Sequence, residues 1–337
     1  MKKVKWGVLG FASIAKRKVI PGMQQGEFSE IAAIASRDLS KAQDAAREFN
    51  IAKAYGSYED LLADPEIEAI YNPLPNHLHV PWTIKALEAG KHVLCEKPIA
   101  LNMAEAKTLL PVRDRTKMKC GEAFMVRTHP QWLRARELVL SGKIGQLRSV
   151  IASFSYFDRE PTSIHNNPDG GGGALLDIGC YPIFTSRFIF GEEPIRVVGS
   201  VERDPDFKID RLTSAILDYP SGQAIFTCST QLSFYQSMEI YGTEGRISFD
   251  MPYSAPLNLP TDIQIEFGRT SSRAPSAPVT ETIAPSNQYT IQGDAFSKAI
   301  RENTEVPVPL EDAIKNMAVI DAVFRSAKTN QWEKPEA

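Results

Sequence analysis

Long apolar runs are missing from this 337-residue chain: nothing in it approaches the roughly 18 consecutive apolar residues that span a bilayer. Cysteine is scarce, with only Cys95, Cys120, Cys180 and Cys228, far apart and without a C-x-x-C spacing. That excludes a disulfide framework or zinc ribbon read from spacing and fits reduced thiols. An excess of one charge is absent too. The formal net charge is -3 and the pI about 6.0, with no block of like charges. Such a chain has no field to draw in nucleic acid or an anionic membrane, so a small-molecule partner is expected. The N-terminus MKKVKWGVLGF reaches Gly7 and Gly10 too early for a secretory apolar region, and a cytoplasmic location is expected. There is no internal repeat. What is present is 43% hydrophobic and 23% charged residues, enough to bury a sizeable core, at a length that favours two domains.

The first ~120 residues alternate between two hydrophobic periods. Strand-like runs stand at Val4 to Leu9, Ile31 to Ala35, Ile67 to Tyr71, His92 to Cys95 and Lys117 to Cys120. Helical patterns separate them: Val80, Ile84 and Leu87 repeat at helical spacing and stop at Gly90, and Asn102 with Glu105 reads as a helix start. Strand, helix, strand in succession implies a parallel sheet with helices on both faces. From about Ser149 the runs RSVIASFSYF, RLTSAILDY, QAIFTCSTQ, QSMEIYG and EGRISFD follow one another with little room for helices, which predicts an antiparallel or mixed sheet. Met251 to Ser286, rich in Pro and Ser, reads as loop with a strand or two, and helical patterns near Tyr289 to Glu302 and Leu310 to Ala327 close the chain.

WGVLGFASIA places Gly10, Ala12 and Ala15 at the positions of G-x-G-x-x-G, after a strand and at the opening of a helix. Only the first glycine is kept, so the motif alone is weak; the plain alternative is a tight turn without a ligand. The turn Gly10, Phe11, Ala12, Ser13 and Ile14 is the candidate pyrophosphate cradle. Folds of this kind place an acid near the end of the second strand to hold the ribose hydroxyls. Here that end reads AIASRDLSK. Ser36, Arg37 and Lys41 suit a 2′-phosphate, since guanidinium binds phosphate through paired charge-assisted hydrogen bonds, and NADP(H) is the expected cofactor. In the alternative, Arg37 and Lys41 are solvated charges and Asp38 meets the ribose.

Three segments carry a resemblance: YNPLPNHLH, LCEKPIA and GGGGALLDIGCY. Together they make the chain similar, from Val4 to about Lys328, to the glucose-fructose oxidoreductase/inositol dehydrogenase (Gfo/Idh/MocA) family. The KWGVLG…IA opening, Tyr181 where many members have His, and GEEPI at 191–195 are most similar to the branch with glucose-fructose oxidoreductase, xylose dehydrogenase, 1,5-anhydrofructose reductase and dihydrodiol dehydrogenase. A strand ending at Cys95 delivers Glu96 and Lys97 to the carboxyl edge of the sheet, where ligands bind, and Pro98 aims the lysine. The resemblance implies that Lys97 touches the reacting hydroxyl and that Glu96, Pro73, Leu74, Asn76 and His79 contact cofactor. A surface ion pair of Glu96 with Lys97 is the plain alternative. His77 and His79 lack a completed coordination set, and no metal is expected.

Asp177 and Tyr181 share one face if DIGCY is helical, with Pro182 making that helix irregular or late to start. Hydride transfer from an alcohol also requires a proton acceptor. A tyrosine titrates near 10, and a neighbouring lysine cation lowers that value. Tyr181 is therefore the expected acid/base, Lys97 its electrostatic partner and substrate anchor, and Asp177 an orienting acceptor. The alternative has Tyr181 packed under the Gly-rich loop with Asp177 as a helix N-cap. Arg127, Arg159 and His165 are further candidates for a polyol pocket.

The expected molecule is an α/β protein: a Rossmann domain over 1–122, then an α/β domain over 123–337 with a large, open, mostly antiparallel sheet, its last helices able to pack back on the first domain. The expected function is an NADP(H)-dependent oxidoreductase taking an aldose to its lactone or reducing a ketosugar, as a homodimer or homotetramer. A trans-dihydrodiol or inositol-type dehydrogenase, and a noncatalytic NADP-binding regulator, are the alternatives.

Overall fold

The computed structural model describes residues 2–268 and 277–336. The chain divides into two compact units, Met1–Thr128 with Asn287–Ile314, and His129–Ser286 with Lys315–Ala337.

The first unit holds β1 (Val4–Leu9), β2 (Ser29–Ala35), β3 (Lys53–Tyr55), β4 (Ala69–Asn72), β5 (His92–Glu96) and β6 (Cys120–Ala123). All pair in parallel, in the order β3-β2-β1-β4-β5-β6. β1 and β4 are almost wholly buried, as expected of parallel strands covered on both faces. The order reverses between β1 and β4, which opens a crevice at their carboxyl ends. The crossovers are α1 (Ile20–Gln24), α2 (Leu39–Phe49), α3 (Tyr58–Ala63), α4 (His79–Glu88), α5 (Met103–Lys107) and α6 (Leu109–Thr116). A helical start at Ser13 and a π-helical stretch over Ala15–Val19 lead into α1. Asn102 caps α5 by accepting the Glu105 amide at 2.9 Å, and the Glu105 carboxylate takes the Leu101 amide at 2.8 Å.

The sequence expectation for β6 is three residues early. Lys117 adopts φ 60 as the left-handed C-cap of α6, so the strand cannot start there. The expected division after Glu122 also falls inside β6. β6 stays with the first unit because Cys120 to Ala123 pair with Val93 to Glu96 and the Glu122 amide donates to the Val308 carbonyl at 3.0 Å.

In the second unit lie β7 (Leu147–Phe157), β8 (Arg196–Arg203), β9 (Asp210–Tyr219), β10 (Gly222–Ser229), β11 (Gln231–Gly242), β12 (Gly245–Phe249), β13 (Thr261–Phe267) and β14 (Val279–Ile283). They form one eight-stranded sheet in the order β14-β13-β12-β11-β7-β10-β9-β8. Only the β7–β10 pair is parallel. Register lines up Val197, Leu217, Ala224, Val150, Ile240, Ile247 and Ile265 as neighbours across the sheet. Every one of these is buried, and this row is the apolar floor of the unit. The segment Met251 to Ser286 does contain two strands, β13 and β14; its residues 269–276 lie outside the described residues.

Helices α7 (Pro130–Leu140) and α8 (Cys180–Phe190) belong to this unit, and α8 is entered through a π-helical stretch over Leu175–Gly179. The expectation of little room for helices after Ser149 is thus corrected: the run from Ala174 to Phe190 is continuous helix. All of Cys180 to Ile189 is buried, so no amphipathic stripe exists for periodicity to detect. Helix α9 (Gln288–Glu302) returns to the first unit, where Trp6 donates to Ser297 at 3.0 Å and Arg301 pairs with Glu68 at 2.7 Å. Helix α10 (Leu310–Thr329) gives its first residues to the first unit and the rest to the second.

Candidate active site

The β1–β4 crevice of the first unit carries the first group of candidates. Gly10 has φ 77, and its amide donates to Ala35 at 2.8 Å. A methyl there would sit 3.1 Å from Leu74 Cδ2 and 3.3 Å from the Tyr58 hydroxyl, so the turn needs glycine for both conformation and room. Phe11, Ala12, Ser13 and Ile14 follow it into the helix that opens at Ser13, where the Lys16 amide donates to the Ala12 carbonyl at 3.0 Å. At the end of β2, Arg37 is exposed and Ser36 half-buried. The Asp38 carboxylate takes the Ser40 amide at 3.0 Å, the Lys41 amide at 3.4 Å and the Ser40 hydroxyl at 2.7 Å. All three bonds fall on Oδ1, which makes Asp38 the N-cap of α2, and Lys41 stands 4.0 Å from Oδ2.

After β4, Asn72 organises the loop of Pro73, Leu74 and Asn76. Its amide donates to the His79 carbonyl at 3.1 Å and to Thr83 at 3.3 Å, while its oxygen accepts the Leu74 amide at 3.3 Å. Sequence reasoning missed Asn72. The His79 ring is buried, and burial pushes it down to about 4, so it is neutral. Its Nδ1 lies 2.7 Å from the Pro98 carbonyl and must carry the proton. His79 thus ties the β4 loop to the turn after β5.

Glu96 ends β5 with 9% exposure, its carboxylate taking the Tyr71 hydroxyl at 2.6 Å and the Lys97 amide at 3.3 Å. A surface ion pair does not describe so buried a carboxylate. Lys97 is half-buried, its peptide bond to Pro98 is cis, and the Ile99 amide is held by Glu122 at 2.7 Å.

The other unit carries the remaining candidates. Asp177 sits within the π-helical stretch, not at a cap, and Tyr181 follows on α8. The helix does not start late, but it is irregular just before Pro182, where the wide π turn over Leu175–Gly179 lies, an irregularity frequent at functional sites. The Tyr156 hydroxyl donates to Asp177 Oδ2 at 2.5 Å, and His165 Nδ1 lies 3.4 Å from the same oxygen. The glycine run makes this possible: Gly172 donates to Asn167 at 2.8 Å and Gly173 to His165 at 3.0 Å, and a methyl on Gly172 would fall 2.5 Å from the His165 carbonyl. Tyr181 is 6% exposed, its ring 5.7 Å from Phe154 and 5.5 Å from Tyr253. Tyr156 escaped the sequence reading, although alternation places it on the inner row with Val150, Ala152 and Phe154. Arg159 is turned to Asp206 at 2.7 Å and Asp204 at 3.8 Å, an ion pair that accounts for its charge. Arg127 lies half-buried in the short 3-10 turn Met125–Thr128 of the first unit.

Known proteins are similar to this chain over most of its length. The description "Oxidoreductase family, NAD-binding Rossmann fold" matches residues 4–124, and the GFO/IDH/MocA C-terminal domain matches residues 132–248. An uncharacterized oxidoreductase of Rhizobium meliloti is 47% identical over 99% of both chains. The D-xylose 1-dehydrogenase (NADP(+)) 2 of Haloferax volcanii is 37% identical over 96% of this chain and 97% of its own. The crystal structure of a 3-ketoreductase from Actinomadura kijaniata with NADP and TDP-benzene superposes with a TM-score of 0.88 at 28% identity, covering 96% of this chain and 98% of that one. On these matches the chain belongs to the GFO/IDH/MocA oxidoreductase family, and its first unit is the family's NAD(P)-binding Rossmann domain.

Proposed function

We propose that the protein is an NADP(H)-dependent sugar oxidoreductase in which Tyr181 and Lys97 handle the proton of the reacting hydroxyl and Asp177 orients the substrate. The observation that carries this reading is Asp177 itself: a carboxylate fixed by Tyr156 and His165, one helical turn before a buried tyrosine. Bound NADP(H) supplies hydride exchange at the nicotinamide. In oxidation Tyr181 accepts the hydroxyl proton and in reduction it returns it, with the Lys97 ammonium favouring the phenolate. Asp177 accepts a hydrogen bond from a neighbouring hydroxyl and sets which carbon faces the cofactor. Gly10, Phe11, Ala12, Ser13 and Ile14 hold the pyrophosphate, and Ser36, Arg37 and Lys41 the 2′-phosphate, a role that suits the exposed Arg37 at the end of β2. Pro73, Leu74, Asn76, His79 and Glu96 line the nicotinamide ribose.

The relatives suggest two substrate classes: a free aldose, as in the xylose dehydrogenase, and a nucleotide-linked ketosugar, as in the ketoreductase. Cofactor released from the purified protein should be NADP(H), and its oxidation state should change with a member of an aldose and ketosugar panel. NADPH binding without turnover on sugars, polyols or diols would instead favour the noncatalytic regulator. Association as a homodimer or homotetramer is proposed through the outer face of the eight-stranded sheet, where register sets the exposed Ile225 beside the exposed Ile151. Ile225→Glu should dissociate that assembly in sedimentation; an unchanged mass would remove this interface.

A further inference from the structure

The π-helical turn that carries Asp177 has no side-chain cap of its own: Ala174 stands at its start. Its partner comes from 35 residues further along the chain. Asp210, the first residue of β9, accepts the Leu175 amide at 2.6 Å and the Thr213 hydroxyl at 3.1 Å, both on Oδ2. Its other oxygen lies against Gly173, which has φ 119 and where any Cβ would come within 2.0 Å of Oδ1. Gly173 in turn accepts the Asp177 amide at 3.1 Å. One carboxylate therefore grips the residue that receives the Asp177 amide and the residue that opens the wide turn.

We propose that Asp210 is a positioning residue: by holding the Leu175 amide and seating on Gly173, it fixes the first turn of the helix and so the placement of Asp177 and Tyr181. The proposal rests on the roles given above to those two residues. Asp210 is 2% exposed. Burial pushes it up to about 6 against the pull of the Leu175 amide and the Thr213 hydroxyl. An apolar side chain would fill that volume without the desolvation cost of a carboxylate. What it could not do is satisfy the amide, and an unsatisfied buried amide would release the turn.

Asp210→Ala and Asp210→Asn separate positioning from packing. Asp210→Ala should lower kcat roughly 10²-fold. NADPH affinity should stay within about twofold. Amide exchange across Leu175 to Tyr181 should rise about tenfold or more. Asp210→Asn, whose side-chain oxygen can still accept the Leu175 amide, should restore most of both. A folded Asp210→Ala with kcat within about threefold of the parent would overturn the proposal. So would equal loss of kcat in both variants with parent-like exchange. If Asp210→Ala fails to fold, Thr213→Val removes one donor while keeping the strand; it should lower kcat several-fold at unchanged NADPH affinity, and a parent-like kcat would contradict the assignment. Should the parent turn over no sugar, the function proposed above falls, and the exchange measurement alone decides whether Asp210 holds the turn.

Discussion

A carboxylate that receives a phenol at 2.5 Å and sits 3.4 Å from an imidazole is held as an acceptor, and Asp177 is held this way by Tyr156 and His165. Tyr156→Phe removes the shorter of the two contacts. It should lower kcat by about tenfold and leave NADPH affinity unchanged, because the cofactor-binding unit is untouched; steady-state kinetics with a cofactor titration checks both. In the first unit, Arg37→Ala should weaken NADPH by about tenfold or more and NADH little, since only NADPH carries the phosphate a guanidinium grips. Equal losses for the two cofactors would remove the phosphate argument. The residues with distinctive motif context, Gly10, Glu96, Lys97, Asp177 and Tyr181, could be singled out from the sequence as candidates. Asn72 and Tyr156 could not, because their importance is a matter of which distant polar atom they meet.

At the scale of elements, the amphipathic and alternating segments were readable and the others were not. β1 matches its apolar run residue for residue, and α4 ends just before Gly90. β3 is three half-buried residues, too short to make a pattern, and β8 carries Gly199 inside a largely polar alternation. The helix from Ala174 to Phe190 is concealed by its own burial, since an element apolar on all sides has no period to display. Glycines mark the two turns on which the site depends. At Gly10, φ 77 and the nearness of Leu74 predict that Gly10→Ala costs about 1–2 kcal/mol from backbone strain. The thermal midpoint of the first unit should fall and cofactor should bind more weakly; a midpoint equal to the parent's would show that the turn tolerates a side chain.

For the whole molecule, buried histidines set the acid side of stability. Burial pushes His79, His92 and His129 down to about 4, whereas in the unfolded chain each titrates near 6.5. Between those values the unfolded state binds more protons, so their contribution to stability is present above about 6.5 and is lost as pH falls towards 4. Asp210 acts in the opposite sense, because its folded value of about 6 lies above its ordinary one. Three groups oppose one, and Tm should fall steadily from pH 7 to pH 4.5. A flat Tm over that range would contradict this account of the buried rings. Asp64 adds a second, lower step: burial raises it, but hydrogen bonds from Lys53 and Tyr55 win and hold it at about 2, so its contribution is lost only as pH falls from about 4 towards 2. Among the described residues no helix is long and apolar enough to cross a membrane.

Lys97 and Tyr181 belong to different units of the chain, and the proposed chemistry requires them to act on one proton. A double-mutant cycle on kcat with Lys97→Met and Tyr181→Phe addresses that requirement directly. The account predicts that each change alone lowers kcat by about 10²-fold or more, that NADPH affinity survives in Tyr181→Phe, and that the double variant is no slower than the worse single one. Strictly multiplicative losses, or near-parental turnover by Tyr181→Phe, would contradict it.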